Sequence, residues 1–333
     1  MRILRNIEEK ELIKVLQGYI TSSSLMGSNE DAYLIKDDLP YLLVNIDSMQ
    51  RASDFLPDQT WGQIGKKLVT MTFSDIVAKG AIPEYFLTSL VLEEDMNEEE
   101  LKQLVGAISK TTQIYGAEYI GGDLGTAKEM VLSGIGTGSI SQGKILTRRE
   151  AHPGDLVCVT GYFGLTAIGF NYIFNEKNEM TSNIPEEILE EALLAIYEPK
   201  LKMKEGHLLS SYELASSSID SSDGLATSLN WLSKESNIKI LIDTLPIDPK
   251  LLKYLTTMET KKTVTFFGGE EFEIVFTVPS TNLDKANKLF EKEKKKFVVI
   301  GHCEKGEGVY FNQNNHLERI PFFGWDSLKK QSQ

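Results

Sequence analysis

Five short stretches of this chain set carboxylates beside small residues: Glu30 and Asp31 in GSNEDAY, Asp47 in VNIDSM, Asp75 in TFSDIVAKGA, Asp123 in YIGGDLG, and Asp220 and Asp223 in SIDSSDG. Taken one at a time, each has an ordinary explanation. Asp75 fits a solvated helix position, Asp47 the end of a strand, and Asp223 a helix N-cap. As a set they share a pattern, because most follow an apolar run and sit among residues that let a ligand approach the backbone closely. Converging carboxylates of this kind are what a hard cation requires. Magnesium takes oxygen ligands and binds through a few carboxylates together with substrate phosphates. A further stretch, GGEEFE at 268–273, places Glu270 behind two glycines at the expected start of a strand, where a functional role and a β-turn with two surface acids are equally open readings.

Other chemistries find less support. Gly138 to Lys144 (GSISQGK) matches the first seven positions of a phosphate-binding P-loop, but Ile145 stands where a metal-binding Ser or Thr belongs, and a strand–turn–strand hairpin fits the segment better. His152, His207, His302 and His316 have neither metal-ligand spacing nor a nucleophile partner, and no G-x-S-x-G elbow occurs. Cys158 and Cys303 are too few for a disulfide framework or a zinc site. With 35 basic and 48 acidic side chains the formal charge is −13, which opposes nucleic-acid binding. The one dense basic run, Lys292 to Lys296 within EKEKKKF, reads as a solvated helix end. An acidic chain that handles phosphates needs divalent cations as intermediaries. No apolar run reaches the ~20 residues that span a bilayer, and the charged N-terminus is no secretory signal. These features point to a cytoplasmic protein with no membrane and no nucleic-acid partner.

The elements that must hold these residues alternate between strands and helices. Residues 8–20 read as an amphipathic helix, 31–36 and 41–47 as strands, and 60–80 as a helix with Ile64, Leu68, Met71, Ile76 and Val77 near helical spacing. A strand at 84–93 precedes a helix at 96–116 capped by Asn97, then a short strand EYIGG and a strand at 130–140. The polar segment RREAHPGD (148–155) marks a change of character. Beyond it come the strand LVCVTG, several helices, a strand–loop–helix unit from SSSID to Lys234, ILIDTLPID, a helix, the alternating strand after GGEEFE, a helix near 282–294, the strand FVVIG and a hairpin. The fold class is therefore mixed α/β (α+β) with two domains, 1–150 and 151–333. The first resembles a ferredoxin-like arrangement more than a doubly wound sheet, and no G-x-G-x-x-G supports a dinucleotide fold.

The ordered series EDAYL, NIDSM, TFSDIVAKGAIP, YIGGDLG, LTRREAHPGD, SIDSSDGL and GGEEFEIVFTVP, closed by FGWDSL, resembles the thiamine-monophosphate kinase family across nearly the whole chain. That family belongs to the superfamily of aminoimidazole ribonucleotide synthetase and selenophosphate synthetase. SDIVAKGAIP, IGGD, ID-x-SDGL and GGE are the more specific segments. The resemblance implies transfer of the ATP γ-phosphoryl group to thiamine monophosphate. It also implies a homodimer in which the N-terminal ATP-binding and dimerisation domain, a ferredoxin-like sheet, forms a barrel, while the C-terminal domain completes the site. By motif match Asp31, Asp47, Asp75, Asp123 and Asp220 would ligate several magnesium ions. Asn45 and Ile46 would add contacts, Ile46 through its carbonyl only, and Asp223 would hold another metal. Asp123 and Asp223 would be the catalytic acids. Gly122, Asp123, Arg148 and Ser222 would contact ATP, and Glu270 and Trp325 the thiamine moiety. Asn29 replaces the family's entry glycine, Leu124 a usual Thr and Glu271 a usual Asp, and Asp54 stands where a substrate-contacting histidine is usual. Two other readings share these motifs: a superfamily enzyme acting on a different substrate, such as an aminoimidazole ribonucleotide synthetase-like enzyme, or a non-catalytic nucleotide-binding protein.

Overall fold

The computed structural model describes residues 33–35, 41–175, 180–313 and 316–322. The helix expected at 8–20, Asp31 and Trp325 lie outside them. The first half runs β1 (Tyr33–Ile35), β2 (Tyr41–Gln50), α1 (Arg51–Asp54), α2 (Trp61–Ala78), β3 (Ile82–Glu93), α3 (Glu98–Ile114), β4 (Glu118–Ala127) and β5 (Val131–Ile140). Its strands form one sheet in the order β1-β2-β5-β3-β4, in which only β3 and β4, joined through α3, are parallel. Both long helices start at capping boxes. The Thr60 hydroxyl accepts from the Gln63 N–H while the Gln63 amide oxygen accepts from the Thr60 N–H, and Asn97 and Glu100 make the same reciprocal pair. Ile64, Leu68, Phe73 and Ile76 of α2 meet Leu43, Phe86, Leu90 and Leu132 of the sheet in one core, alongside Leu104 and Ile108 of α3. Each such side chain contributes about 1.5–3 kcal/mol on burial. Among the described residues no helix covers the opposite sheet face, where Ile46 and Tyr85 are exposed.

The second half contains β6 (Asp155–Val159), α4 (Leu165–Asn175), α5 (Glu186–Tyr197), α6 (Met203–Ser211), β7 (Ser217–Asp220), α7 (Leu225–Ser236), β8 (Lys239–Ile242), α8 (Met258–Phe266), β9 (Ile274–Pro279), α9 (Leu283–Lys292), β10 (Val298–Glu304), β11 (Gly308–Gln313) and β12 (His316–Arg319). Its seven strands lie in the order β12-β11-β8-β10-β6-β9-β7. Helix α2 connects the halves. The Ser218 hydroxyl of β7 donates to the Ala78 carbonyl at 2.7 Å, and Ser74 donates to Asp220 at 2.7 Å. The mixed α/β class with two sheets is as expected from the sequence. Among the described residues no helix is long and apolar enough to cross a membrane.

Three local expectations need correction. The segment after Gly138 forms no hairpin: β5 ends at Ile140, and the chain runs without a strand to Asp155, held to α6 where Ser210 donates to the Lys144 carbonyl at 2.7 Å. The strand after GGEEFE starts at Ile274 and not at Glu270, and it is buried on both faces because Val275 enters one core while Ile274, Phe276 and Val278 enter another. The short strand EYIGG is the first half of the ten-residue β4. It is interrupted by a bulge opposite Phe86 and Thr88, where Gly121 takes a φ of +102°.

Candidate functional site

Strand β2, the C-terminal half of α2 and the end of β7 bring four acidic side chains together. Asn45 on β2 donates from its amide nitrogen to Asp47 at 2.9 Å and to Asp75 at 2.8 Å, as well as to the Thr72 carbonyl at 3.1 Å. Asp75, on α2, shares a hydrogen bond with Asp220 at the end of β7. Asp223 follows in the loop 221–224 and acts on Asp47 through its charge. Two cations face the cluster. Arg148, buried between the halves, lies over the Trp231 ring with its guanidinium 5.4 Å from the centroid, and Lys79 ends α2. Both act electrostatically on Asp220.

Burial governs the protonation of this group. It pushes Asp47 up to about 7, with Asp220 adding to the rise and the Asn45 hydrogen bond opposing it. Burial and then Asp220 and Asp47 raise Asp75 well above the usual carboxylate range. Asp220 is also raised by burial, against the Ser74 hydrogen bond, Arg148 and Lys79. Carboxyls this close cannot all ionise without a compensating cation, so near neutral pH they hold protons that a metal ion would displace. The donor set is all oxygen and suits magnesium or manganese. Among the described residues no three His, Cys, Asp or Glu side chains already close on one point as a metal cage. Magnesium does not need one, since it keeps several waters and borrows ligands from phosphates.

Beside the cluster the loop 221–224 interlocks with 268–273. Glu270 N–H donates to the Ser222 carbonyl at 2.6 Å and Phe272 N–H to the Ser221 carbonyl at 2.9 Å. Glu270 and Phe272 take φ of +56° and +49°, the left-handed region that non-glycine residues rarely enter, and such strain concentrates at functional sites. Glu271 secures the turn by accepting from Thr166, Ser221 and the Gly269 N–H, and burial pushes it up to about 7. The Glu270 carboxylate pairs at 2.6 Å with Lys67 of α2, a side chain only 2% exposed. Lys202 pairs with Glu273 at 2.7 Å behind the loop.

The residues expected from the sequence therefore divide. Asn45, Asp47, Asp75, Asp220 and Asp223 converge, with Arg148 facing them and Ser222 and Glu270 on the adjoining loops. The Ile46 side chain points to the sheet face opposite α2 and is 62% exposed. Gly122 and Asp123 sit on edge strand β4. Register places Asp123 in the row Ser48–Ser133–Ser89, on the face opposite Asp47. At the β4 edge, on the helix-covered side of the sheet, Gly122 and Asp123 border a cleft of about 480 Å³ whose walls include Leu90, Leu101, Val105 and Tyr119. Asp54 accepts locally from Gln50 N–H and Ser53. Sequence reasoning passed over Lys67, Ser74 and Lys79. Lys79 carried a signal, a lone charge inside the apolar run IVAKGAI; the others become visible only when the halves meet.

Several known proteins are similar to this chain along nearly its whole length. Residues 29–140 match the family described as AIR synthase related protein, N-terminal domain. Thiamine-monophosphate kinase of Pyrococcus horikoshii is 36% identical over 332 residues, covering 98% of each chain, and that of Pyrococcus abyssi is 34% identical over 97% of this chain and 96% of its own. Among solved structures, AaThiL complexed with AMPPCP and TMP superposes with a TM-score of 0.83 over 98% of this chain and 99% of its own, at 23% identity, a likeness of fold.

Proposed function

The chain belongs to the thiamine-monophosphate kinase family, and we propose on that premise that it transfers the γ-phosphoryl group of ATP to thiamine monophosphate, giving thiamine diphosphate and ADP. The observation that carries this reading is full-length similarity to thiamine-monophosphate kinases in a chain whose motif acids gather between its two halves. A phosphate oxygen of thiamine monophosphate forms the new bond to the γ-phosphorus, the bridging bond to the β-phosphate breaks, and its electron pair leaves with ADP. The attacking phosphate is already anionic near pH 7, so no dedicated base is needed, and the task is alignment and charge neutralisation.

Asp47, Asp75, Asp220 and Asp223, with Asn45 and the Ile46 carbonyl beside them, would hold magnesium. Such a cation would supply positive charge against the substrate phosphates. Arg148, fixed against Trp231, presents a guanidinium to phosphate oxygens. Ser222 stands just before the N-terminus of α7, an end that favours anions. Glu270 gives the thiamine cation a carboxylate held in place by Lys67, and Trp325 would add an aromatic face. We assign Gly122 and Asp123 to the nucleotide and its metal along the β4 edge, where the adjoining cleft offers an apolar wall, and keep Asp123 and Asp223 as the catalytic acids. Asp54 is assigned to the acceptor side. Residues 1–150 would form the nucleotide-binding and dimerisation domain and 151–333 the completing domain, since each carries its own sheet. The exposed apolar face of the first sheet supports a homodimer. A cytoplasmic location fits the ATP requirement and the free, buried thiols of Cys158 and Cys303.

The test is direct. Purified protein with ATP and MgCl2 is expected to convert thiamine monophosphate to thiamine diphosphate, with one ADP released per product. No turnover at millimolar substrate, together with phosphorylation of another acceptor, overturns the reading.

A further inference from the structure

Lys79 has a place in none of the roles above, yet it is among the most deeply buried charged residues of the described chain, with no exposed surface. It caps the C-terminus of α2, where the helix dipole favours a cation. Its backbone is tied on both sides: the N–H donates to the Asp75 and Ile76 carbonyls, and the carbonyl accepts from Leu146 N–H at 3.1 Å. The side chain runs inward, and Nζ donates to the Ser218 carbonyl at 3.3 Å, two residues before Asp220 on β7. Its charge acts on Asp75, one turn back on its own helix, and on Asp220 across the junction. An isolated ammonium is unfavourable away from water, so its position requires opposing charge nearby. Beyond these two acids the cluster holds Asp47 on β2, which acts on Asp75, and Asp223 in the loop after β7, which acts on Asp47; the second cation, Arg148, acts on Asp220. Fully ionised, four carboxylates against two fixed cations lack about two positive charges, the charge of a single divalent ion.

We propose that the Lys79 ammonium is a built-in counter-cation of the carboxylate cluster, holding Asp75 and Asp220 together across the two halves when no divalent ion is bound and weakening divalent-ion binding there. The second effect rests on reading the cluster as a cation site; the first does not. In the absence of nucleotide, the site is then poised at low metal affinity and tightens when substrate phosphates add negative charge.

The experiment uses full-length, nucleotide-free protein, with Mn2+ binding followed by the electron paramagnetic resonance of the free ion and Tm measured in EDTA and in saturating Mn2+. Lys79→Met is expected to bind Mn2+ at least tenfold more tightly than wild type, and to lose more Tm in EDTA than in Mn2+. Lys79→Arg, which keeps the charge, is expected to retain wild-type affinity. Unchanged or weaker Mn2+ affinity in Lys79→Met, with equal Tm losses in both conditions, overturns the proposal and leaves Lys79 a packing residue. Should Lys79→Met fail to fold, the double variant Lys79→Met/Asp75→Asn decides, because it removes one charge of each sign. Recovery of soluble, folded protein supports the pairing, and a double variant no better than the single overturns it. Absence of Mn2+ binding in every form overturns the cation reading of the cluster, an outcome separate from the EDTA comparison.

Discussion

Burial and the charges of Asp220 and Asp223 push the Asp47 carboxyl up from 3.8 to about 7. The folded chain then binds more protons than the unfolded one between these values, so the stability this group supplies is full below about pH 4 and is lost as pH rises through 7. In EDTA, wild type should lose Tm relative to Asp47→Asn between pH 5 and 8; parallel curves would show that Asp47 is not raised. Magnesium acts in the opposite sense, since it needs the ionised form. The Mg2+ concentration for half-maximal activity should rise about tenfold per pH unit below 7, for one proton displaced per ion. The Lys67–Glu270 pair yields a second expectation, from unequal burial at its two ends. Glu270→Gln strands a buried ammonium, whereas Lys67→Met leaves a half-buried carboxylate that can turn toward water. Urea unfolding should show a loss of about 3 kcal/mol for the first and about 1 kcal/mol for the second. At this scale the acids were legible because carboxylates beside small residues stand out in sequence. Their cationic partners Lys67 and Lys79 were not, since each pairs with a residue more than a hundred positions away or is hidden in an apolar run.

Among the elements, helices were read best because their starts are written in neighbouring side chains. Asn97 with Glu100 and Thr60 with Gln63 close capping boxes that need no tertiary contact. Strands depend on what covers them. β9 has no alternation because both its faces are buried, and β4 looked finished at its glycines when those glycines make the bulge through which the strand continues. A Cβ on Gly122 would lie 1.8 Å from the Thr88 carbonyl oxygen, a backbone atom held in the sheet. Gly122→Ala should therefore force β3 and β4 apart, at a cost of about 2 kcal/mol in urea unfolding. Because Asp123 follows immediately, the same change should weaken ATP binding, with Mn2+ binding at the Asp47–Asp75–Asp220 cluster unaffected. Loss of both together would mean that β4 and the cluster form one site.

For the molecule as a whole, the sequence predicted two mixed α/β halves but not how they join, because the junction is made by residues far apart in sequence, among them Lys66 with Glu198, Lys67 with Glu270, Ser74 with Asp220, Ser218 with the Ala78 carbonyl, and Val77 packed against Leu208 and Leu209. Helix α2 lies on one face of the first sheet, and among the described residues no helix covers the other. On that other face Ile46, Ile135 and Leu87 align across β2, β5 and β3, with Tyr85 in the next row, and Ile46 and Tyr85 are 62% and 45% exposed. An apolar row of this kind on a five-stranded sheet is a costly surface to leave in water, and a second copy of the chain could bury the ~800 Å² per partner of an ordinary interface there. Sedimentation velocity should therefore show a dimer for wild type and a single chain for Ile46→Lys/Tyr85→Glu. The acid cluster lies on the helix side of the same sheet, so the monomeric variant should still bind Mn2+ without nucleotide. A monomeric wild type would remove the dimer, while loss of Mn2+ binding on monomerisation would show that the cluster is completed by the partner and not by α2 and β7 alone.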